Sequence, residues 1–138
     1  MRASIGSPRV WVQVFAALCA SHLAGDFLLQ TEFQAMNKRG GLGGDPVKRR
    51  ALLQHGLTYT VACVPALVWL GSKHGVPAAI GLGALITLPH IGVDDGRILR
   101  SWLANVKHAE HPSDWLVAAV DQTFHLVLLL PVALLGAS

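Results

Sequence analysis

Long apolar stretches alternate with shorter polar segments along this chain. Four of them approach the roughly 20 residues that a helix needs to span a membrane, and they cover residues 10–29, 51–70, 76–93 and 115–135. Between the last two, residues 97–109 set apolar side chains at helical spacing opposite Arg100 and Lys107, as in an amphipathic helix lying in a membrane interface. The pattern predicts an all-α fold: an integral membrane four-helix bundle with a short interfacial helix between the third and fourth spans.

Composition and charge agree with a membrane protein. Only 14% of the 138 residues are charged and the mean hydropathy is +0.47, whereas a soluble domain has about 25% charged residues. The four spans use most of the chain, so we expect residues 1–138 to form a single membrane domain. The net charge of +3 comes from the loops, where basic residues set the topology of a membrane protein. We expect the partners of this protein to be the lipid bilayer and its anionic lipids, and not nucleic acid.

Ionisable residues interrupt the spans at helical spacing. Three spans carry a histidine and an aspartate four residues apart, on one helix face: the pairs are His22/Asp26, His90/Asp94 and Asp121/His125. An ionised aspartate at mid-membrane costs about 2.5–3.5 kcal/mol, and clustered imidazoles and carboxylates offset that cost most readily by binding a divalent metal. The sequence predicts one or two zinc, iron or manganese ions held by these six residues. His55, near the start of the second span, would be a further ligand or a general base.

Lysine and arginine residues are distributed unevenly between the two sides of the predicted bundle. Eight lie in the loops after the first and third spans, namely Lys38, Arg39, Lys48, Arg49, Arg50, Arg97, Arg100 and Lys107. Three lie on the opposite side, namely Arg2, Arg9 and Lys73. The positive-inside rule then predicts an inner-membrane protein with both termini outside and both long loops in the cytoplasm. Each paired aspartate would lie nearer the cytoplasm, with its histidine about 6 Å deeper.

The start of the chain has a second interpretation. Arg2 and Arg9 ahead of an apolar run resemble a secretory signal peptide. Cleavage near Ala20 would cut inside a stretch long enough to span the membrane. We therefore expect the first span to be retained.

Polar residues within or directly after the spans are candidate partners of the metal ligands. We expect Gln30, Tyr59 and Gln122 to support the ligating side chains, because a metal-bound histidine needs a partner for its other ring nitrogen. Residues 36–50 are glycine-rich and basic, which predicts a mobile cytoplasmic loop. The loop either only sets the topology or, through Lys38 and Arg39, attracts an anionic lipid head group to the metal site.

Four sequence motifs occur in an order that is more specific than any one of them. They are HLAGDFLLQTEFQAMNK at 22–38, His55 followed by Tyr59, HIGVD at 90–94 and DQTFH at 121–125. In this order the chain resembles a family of small bacterial integral membrane proteins known as domain of unknown function 3307, over nearly its whole length. The resemblance implies that the motif positions are the characteristic residues of the family, and it implies no function.

A metal-dependent intramembrane hydrolase is the function that the pattern favours. A metal bound to these residues would polarise a phosphoryl or carbonyl oxygen and activate water near neutral pH. Because the polar residues lie in the cytoplasmic half under a basic loop, the expected substrate is a lipid phosphate or another amphiphilic ester of that leaflet.

Three other functions remain open. Ionisable residues within spans also occur in ion or proton transporters and channel subunits, although here the outer halves of the spans are apolar. Histidines on facing helices could ligate haem, but paired carboxylates are unexpected there and no C-x-x-C-H motif is present. A polar core could instead serve structure or regulation, in a monomer or a homo-oligomer.

Overall fold

Helices account for the whole architecture in the described part of the chain, and no strand occurs there. This computed structural model describes residues 8–138, with side chains from residue 10 onward. Arg2 and the side chain of Arg9, which enter the charge count and the signal-peptide interpretation, lie outside the described residues. The helices are α1 (Pro8–Leu23), continued by a π-helical segment (Ala24–Leu29), α2 (Glu32–Asn37), α3 (Pro46–His74), α4 (Val76–Asp94), α5 (Arg97–Asn105) and α6 (Asp114–Leu135).

Four helical segments are long and apolar enough to cross a membrane, as the hydrophobic pattern predicts. They are Val10–Leu29, Pro46–His74, Val76–Asp94 and Asp114–Leu135. Their sides carry many exposed leucine, valine and isoleucine side chains, as expected for surfaces that face lipid. These features indicate a multi-pass membrane protein.

Local sequence signals explain where the helices begin and continue. The Asp45 carboxylate accepts hydrogen bonds from the main-chain N–H of Val47 and Lys48, which starts α3 well before the predicted residue 51. Ser113 caps α6 through the N–H of Leu116. Pro89 lies inside α4, which continues through it to Asp94.

The four long helices pack as a bundle that has one apolar and one polar half. Around the bundle α1 contacts α3, α3 contacts α4, α4 contacts α6 and α6 contacts α1. The apolar half is filled by one core cluster, which includes Val14, Leu18, Cys63, Leu70 and Leu129. The paired histidines and aspartates lie in the other half.

The segment expected to be a mobile loop is packed against the protein instead. Residues 46–50 belong to α3, and α2 begins with a capping box between Thr31 and Gln34. The main-chain N–H of Leu42 donates to the Asp95 carboxylate at 2.8 Å, and the N–H of Gly40 donates to the Asp95 carbonyl at 2.8 Å. These hydrogen bonds hold the loop that precedes α3 against the end of α4.

The short amphipathic segment after the third span is helical, as predicted. Leu99 and Leu103 of α5 are buried, while Arg97 and Arg100 are exposed. The ring of Trp102 packs edge-on against Phe124 of α6, with ring centroids 5.4 Å apart. Helix α5 therefore packs against the end of the bundle that holds the polar half.

Candidate metal centre

Seven ionisable side chains from the four long segments converge in the polar half of the bundle. We call them the His/Asp cluster; its members are His22, Asp26, His55, His90, Asp94, Asp121 and His125. All are buried except Asp121, whose side chain is 14% exposed. The six paired residues, predicted from their spacing, and His55, predicted from its place near the start of the second span, therefore share one site.

A triangle of three donor atoms forms the centre of the cluster. The Nε2 atoms of His55 and His90 are 3.0 Å apart. Asp94 Oδ2 lies 2.9 Å from Nε2 of His55 and 3.0 Å from Nε2 of His90. Helix α3, through His55, and helix α4, through His90 and Asp94, therefore place two imidazole nitrogens and one carboxylate oxygen around the same point.

Asp26 adds a fourth donor atom to the triangle. Its Oδ1 lies 3.3 Å from Nε2 of His55 and 3.5 Å from Nε2 of His90. Donor atoms bound tetrahedrally at zinc-like distances of about 2.0–2.1 Å are about 3.3 Å from one another. The observed separations are thus close to those of the ligands of a single ion.

Gln122 connects His22 to Asp26. The Nε2–H of His22 donates to Gln122 Oε1 at 3.0 Å, and Gln122 Nε2 donates to Asp26 Oδ2 at 3.3 Å. His22 Nε2 is itself 3.8 Å from Asp26 Oδ2. Gln122 therefore orients one histidine and one carboxylate, as expected of a residue that supports ligands.

His125 has the hydrogen-bond pattern of a metal ligand. Its Nδ1–H donates to the main-chain carbonyl of Asp121 at 2.9 Å, which leaves Nε2 as the unprotonated nitrogen. That Nε2 faces the cluster, 3.7 Å from Asp94 Oδ1. The Asp121 carboxylate is farther away, at 4.0 Å from Nδ1 of the same ring.

Several buried ring nitrogens of the cluster lack hydrogen bonds. Within residues 10–138 no hydrogen-bond partner is found for Nδ1 of His22, His55 and His90 or for Nε2 of His125. Buried polar atoms are normally paired, because leaving one unpaired costs roughly 1–3 kcal/mol. For His55 and His90 the unpaired atom is Nδ1 and not the Nε2 of the triangle, so these rings lack the partner that supports a ligating histidine. Two groups have donor atoms close enough to hold a metal ion: His22 with Asp26 and His90, and His55 with His90 and Asp94.

Lys38 takes a place that the sequence analysis did not anticipate. Its ammonium forms a 2.7 Å ion pair with Asp94 Oδ1 and donates a 2.8 Å hydrogen bond to Gln30 Oε1. The position differs from the expectation that Lys38 binds a lipid head group, because the ammonium is buried against protein acceptors. Gln30, expected beside a histidine, contacts Lys38 instead. Arg39 is exposed.

Helix α3 packs closely against α4 and against the π-helical segment beside the site. Tyr59 of α3 stacks on the ring of His90, with centroids 3.4 Å apart. Gly25 faces Tyr59 so closely that a Cβ there would lie 2.7 Å from the tyrosine ring. Gly25 and Asp26 both belong to the π-helical segment, a form often found at functional sites.

Sequence reasoning missed Asp95 and Gly25 and expected a different contact for Lys38. Lys38 and Asp95 act through contacts with distant parts of the chain, which helical spacing does not reveal. The third, Gly25, had a local signal, because it directly precedes Asp26 inside an apolar span. The remaining three histidines are exposed and do not belong to the cluster; they are His74, His108 and His111.

Comparison with known proteins places almost all of the chain within one family model. The model, described as "Protein of unknown function (DUF3307)", matches residues 14–137. This match confirms the resemblance drawn from the four motifs. No curated protein and no solved structure matches the chain.

Proposed function

Since the chain belongs to the DUF3307 family, whose description gives no function, we propose from the site alone that it is a metal-binding membrane protein, and that it uses the metal to hydrolyse a lipid phosphate or amphiphilic ester. The supporting observation is the meeting of His55 Nε2, His90 Nε2 and Asp94 Oδ2 within 3.0 Å of one another. The two Nε2 atoms repel each other at 3.0 Å if both carry protons, and if neither does, two lone pairs and a carboxylate oxygen face one another. A shared cation would satisfy all three.

The donor set fits a zinc, iron or manganese ion. Imidazole and carboxylate ligands suit these metals. Nε2 of His125 is the nitrogen left free by the bond from Nδ1 to the Asp121 carbonyl, an arrangement usual for ligating histidines. We propose His55, His90, Asp94 and Asp26 as the central ligands, with His22, His125 and Asp121 completing the site. His55 is assigned as a ligand because its Nε2 contacts three other donors.

The hydrolytic step would need one water molecule and a route for the substrate. A bound divalent ion supplies Lewis acidity and activates water near neutral pH. Beside His90 and His125 lies a cavity of about 10 Å³, close to the space that one water molecule requires. Leu85 and Leu128 line it, and both are partly exposed on the outside of the bundle. We propose the boundary between α4 and α6, where these two leucines lie, as the side from which a lipid substrate approaches.

We further propose that the polar half faces the cytoplasmic leaflet of an inner membrane. The excess of lysine and arginine in the loops at this end supports that orientation. Helix α5 would lie in the interface, with Ile98 and Trp102 toward lipid. Arg39 and Arg100 both lie against Gly96 on this side, so they are the cations we assign to an anionic head group.

A polar core without metal is the second candidate. The ion pair between Lys38 and Asp94 favours it, because the lysine neutralises one buried carboxylate with no help from a metal. The hydrogen bonds of Gln122 would then serve only to fix helix register. Metal content separates the two candidates.

Elemental analysis of the purified protein tests the proposal. We expect the wild type, purified in mild detergent, to carry stoichiometric zinc, iron or manganese. The variant His90→Ala/Asp94→Ala should lose it, because both residues belong to the central triangle. His111→Ala, which changes an exposed histidine, is the matched control and should keep the metal. An absorption spectrum of the same samples tests for haem.

Lack of metal in the wild type after reconstitution trials would exclude the metal-binding proposal and leave the polar core. If metal binds, lipid phosphates and carboxylic esters are the substrates to assay. A metal-loaded protein inactive on both classes would exclude the hydrolase and leave a metal-binding protein with another role.

A further inference from the structure

Lys38 forms an ion pair with a carboxylate of the His/Asp cluster. Its ammonium is 2.7 Å from Asp94 Oδ1, and the residue is 9% exposed. Within residues 10–138 no other lysine or arginine makes an ion pair with a cluster carboxylate; Arg97 pairs with Asp95 instead. A buried ion pair is far less screened by solvent than a surface pair.

The protein holds Lys38 in place from both sides. Gln30 accepts a hydrogen bond from the ammonium at 2.8 Å, before helix α2. After it, the N–H groups of Gly40 and Leu42 are bound to Asp95. Gly41 packs so tightly that a Cβ there would be 2.7 Å from the Lys48 carbonyl oxygen. These contacts fix the main chain on both sides of Lys38 and thereby fix the position of its ammonium beside Asp94.

The charges of the cluster can be counted from these residues. Asp26, Asp94 and Asp121 contribute three negative charges when ionised, and Lys38 contributes one positive charge. Histidines that bind a metal are neutral. Two negative charges therefore remain, which one divalent cation cancels. A second divalent cation would leave a net positive charge in a low-dielectric interior, where unpaired charge is costly.

We propose that Lys38 is a built-in counterion that restricts the cluster to one divalent cation. The inference rests on the proposed metal binding and deepens it, because the ligand set alone is large enough for one ion or two. It assigns to Lys38 a part in the stoichiometry of the site, separate from any contact with a lipid head group.

The test compares Lys38→Met, which removes the charge but keeps most of the side-chain length, with Lys38→Arg, which keeps the charge. Lys48→Met, which changes an exposed lysine of the same region, is the matched control. Each protein is dialysed to equilibrium against buffered zinc or manganese, and bound metal is measured. We expect one equivalent in the wild type, Lys38→Arg and Lys48→Met. Lys38→Met should bind zinc about tenfold more tightly or more, since a cation beside Asp94 is lost. It should also take up a second equivalent at a lower zinc concentration than the wild type does, because two divalent ions then leave one excess positive charge instead of two.

Two results would overturn the inference. One is unchanged affinity and stoichiometry in Lys38→Met. The other is two equivalents in the wild type that are both lost in His90→Ala/Asp94→Ala, which needs no Lys38 variant and so holds even if Lys38→Met fails to fold. A wild type that binds no metal would instead exclude the proposed function itself.

Discussion

At the scale of single residues, the two oxygens of Asp94 have different partners. Oδ1 faces the ammonium of Lys38, and Oδ2 faces the imidazoles of His55 and His90. Removing one partner of a buried ion pair costs roughly 3–5 kcal/mol, because the other charge stays buried and uncompensated. Asp94 is therefore the residue at which stability and chemistry are most closely coupled.

The close approach of α1 to α3 at Gly25 can be tested with two glycines. Gly25→Ala should destabilise the protein by roughly 1–3 kcal/mol, because the new methyl group would overlap the Tyr59 ring. Gly92→Ala is the control, since nothing lies within 4 Å of a Cβ there, and it should be neutral or stabilise by about 0.5–1 kcal/mol. Thermal unfolding in mild detergent measures both. Equal midpoints for the two variants would contradict the close contact.

The sequence predicted the residues of the cluster but only part of their pairing. A histidine and an aspartate four apart share a helix face because of local helical geometry, so the three pairs could be found without a structure. The contact of Lys38 with Asp94 joins two separate helical segments, and no local pattern encodes it. The stacking of Tyr59 on His90 is likewise a product of tertiary packing.

At the scale of elements, Asp95 organises the turn that carries Lys38. The side chain and the main-chain carbonyl of Asp95 accept hydrogen bonds from Leu42 and Gly40, and the carboxylate also pairs with Arg97 at 2.7 Å. One residue at the end of α4 thus connects α5 and the turn before α3. The turn is held by these bonds and not by regular secondary structure of its own.

Asp95→Ala should release this turn. We expect faster hydrogen exchange at the amides of Leu42 and Gly40, because Leu42 loses its acceptor and the turn loses its anchor. Hydrogen–deuterium exchange with mass spectrometry of the segment covering residues 38–44 measures the effect. Asp114→Ala, which changes an exposed aspartate at the start of α6, should leave that segment unchanged. Protection that persists in Asp95→Ala would show that the turn is held in another way.

Helix positions were largely predictable, and departures from helical regularity were not. The four predicted spans match the long helical segments because roughly 20 apolar residues are needed to cross a bilayer. The extension of α3 back to Pro46 depends on the Asp45 cap within a basic segment that hydropathy does not mark. The π-helical segment Ala24–Leu29, in which Gly25 packs closely against α3, has no counterpart in the hydropathy pattern.

At the scale of the whole molecule, the bundle divides into an ionic half and an apolar half. Side chains such as Val14, Leu18, Leu70 and Val132 close the apolar half. A continuous polar route through the bundle would have to pass between them. This arrangement is the reason that we propose chemistry at one membrane face and not transport between two.

The proposed orientation can be measured with single cysteines. The test uses a Cys19→Ala/Cys63→Ala background produced in a bacterial inner membrane. Ser72→Cys should react with a membrane-impermeant maleimide on intact cells, because it lies at the end of α3 that has few cations nearby and that we propose to face outward. Ser101→Cys on α5 should react only after the membrane is permeabilised. Both serines are exposed, so accessibility within the protein is matched. The reverse pattern would invert the proposed topology.

The His/Asp cluster is built from four helical segments that are synthesised one after another, and this has a consequence for biosynthesis. Asp26 enters the membrane first, with α1, and Asp94 follows with α4, but Gln122 and His125 arrive only with α6. Until that helix is made, the ribosome-bound chain carries buried carboxylates without their full set of partners. The last long helix thus completes the cluster, and a translation product interrupted before it would leave Asp26 without the hydrogen bond from Gln122 and Asp94 without its neighbour His125.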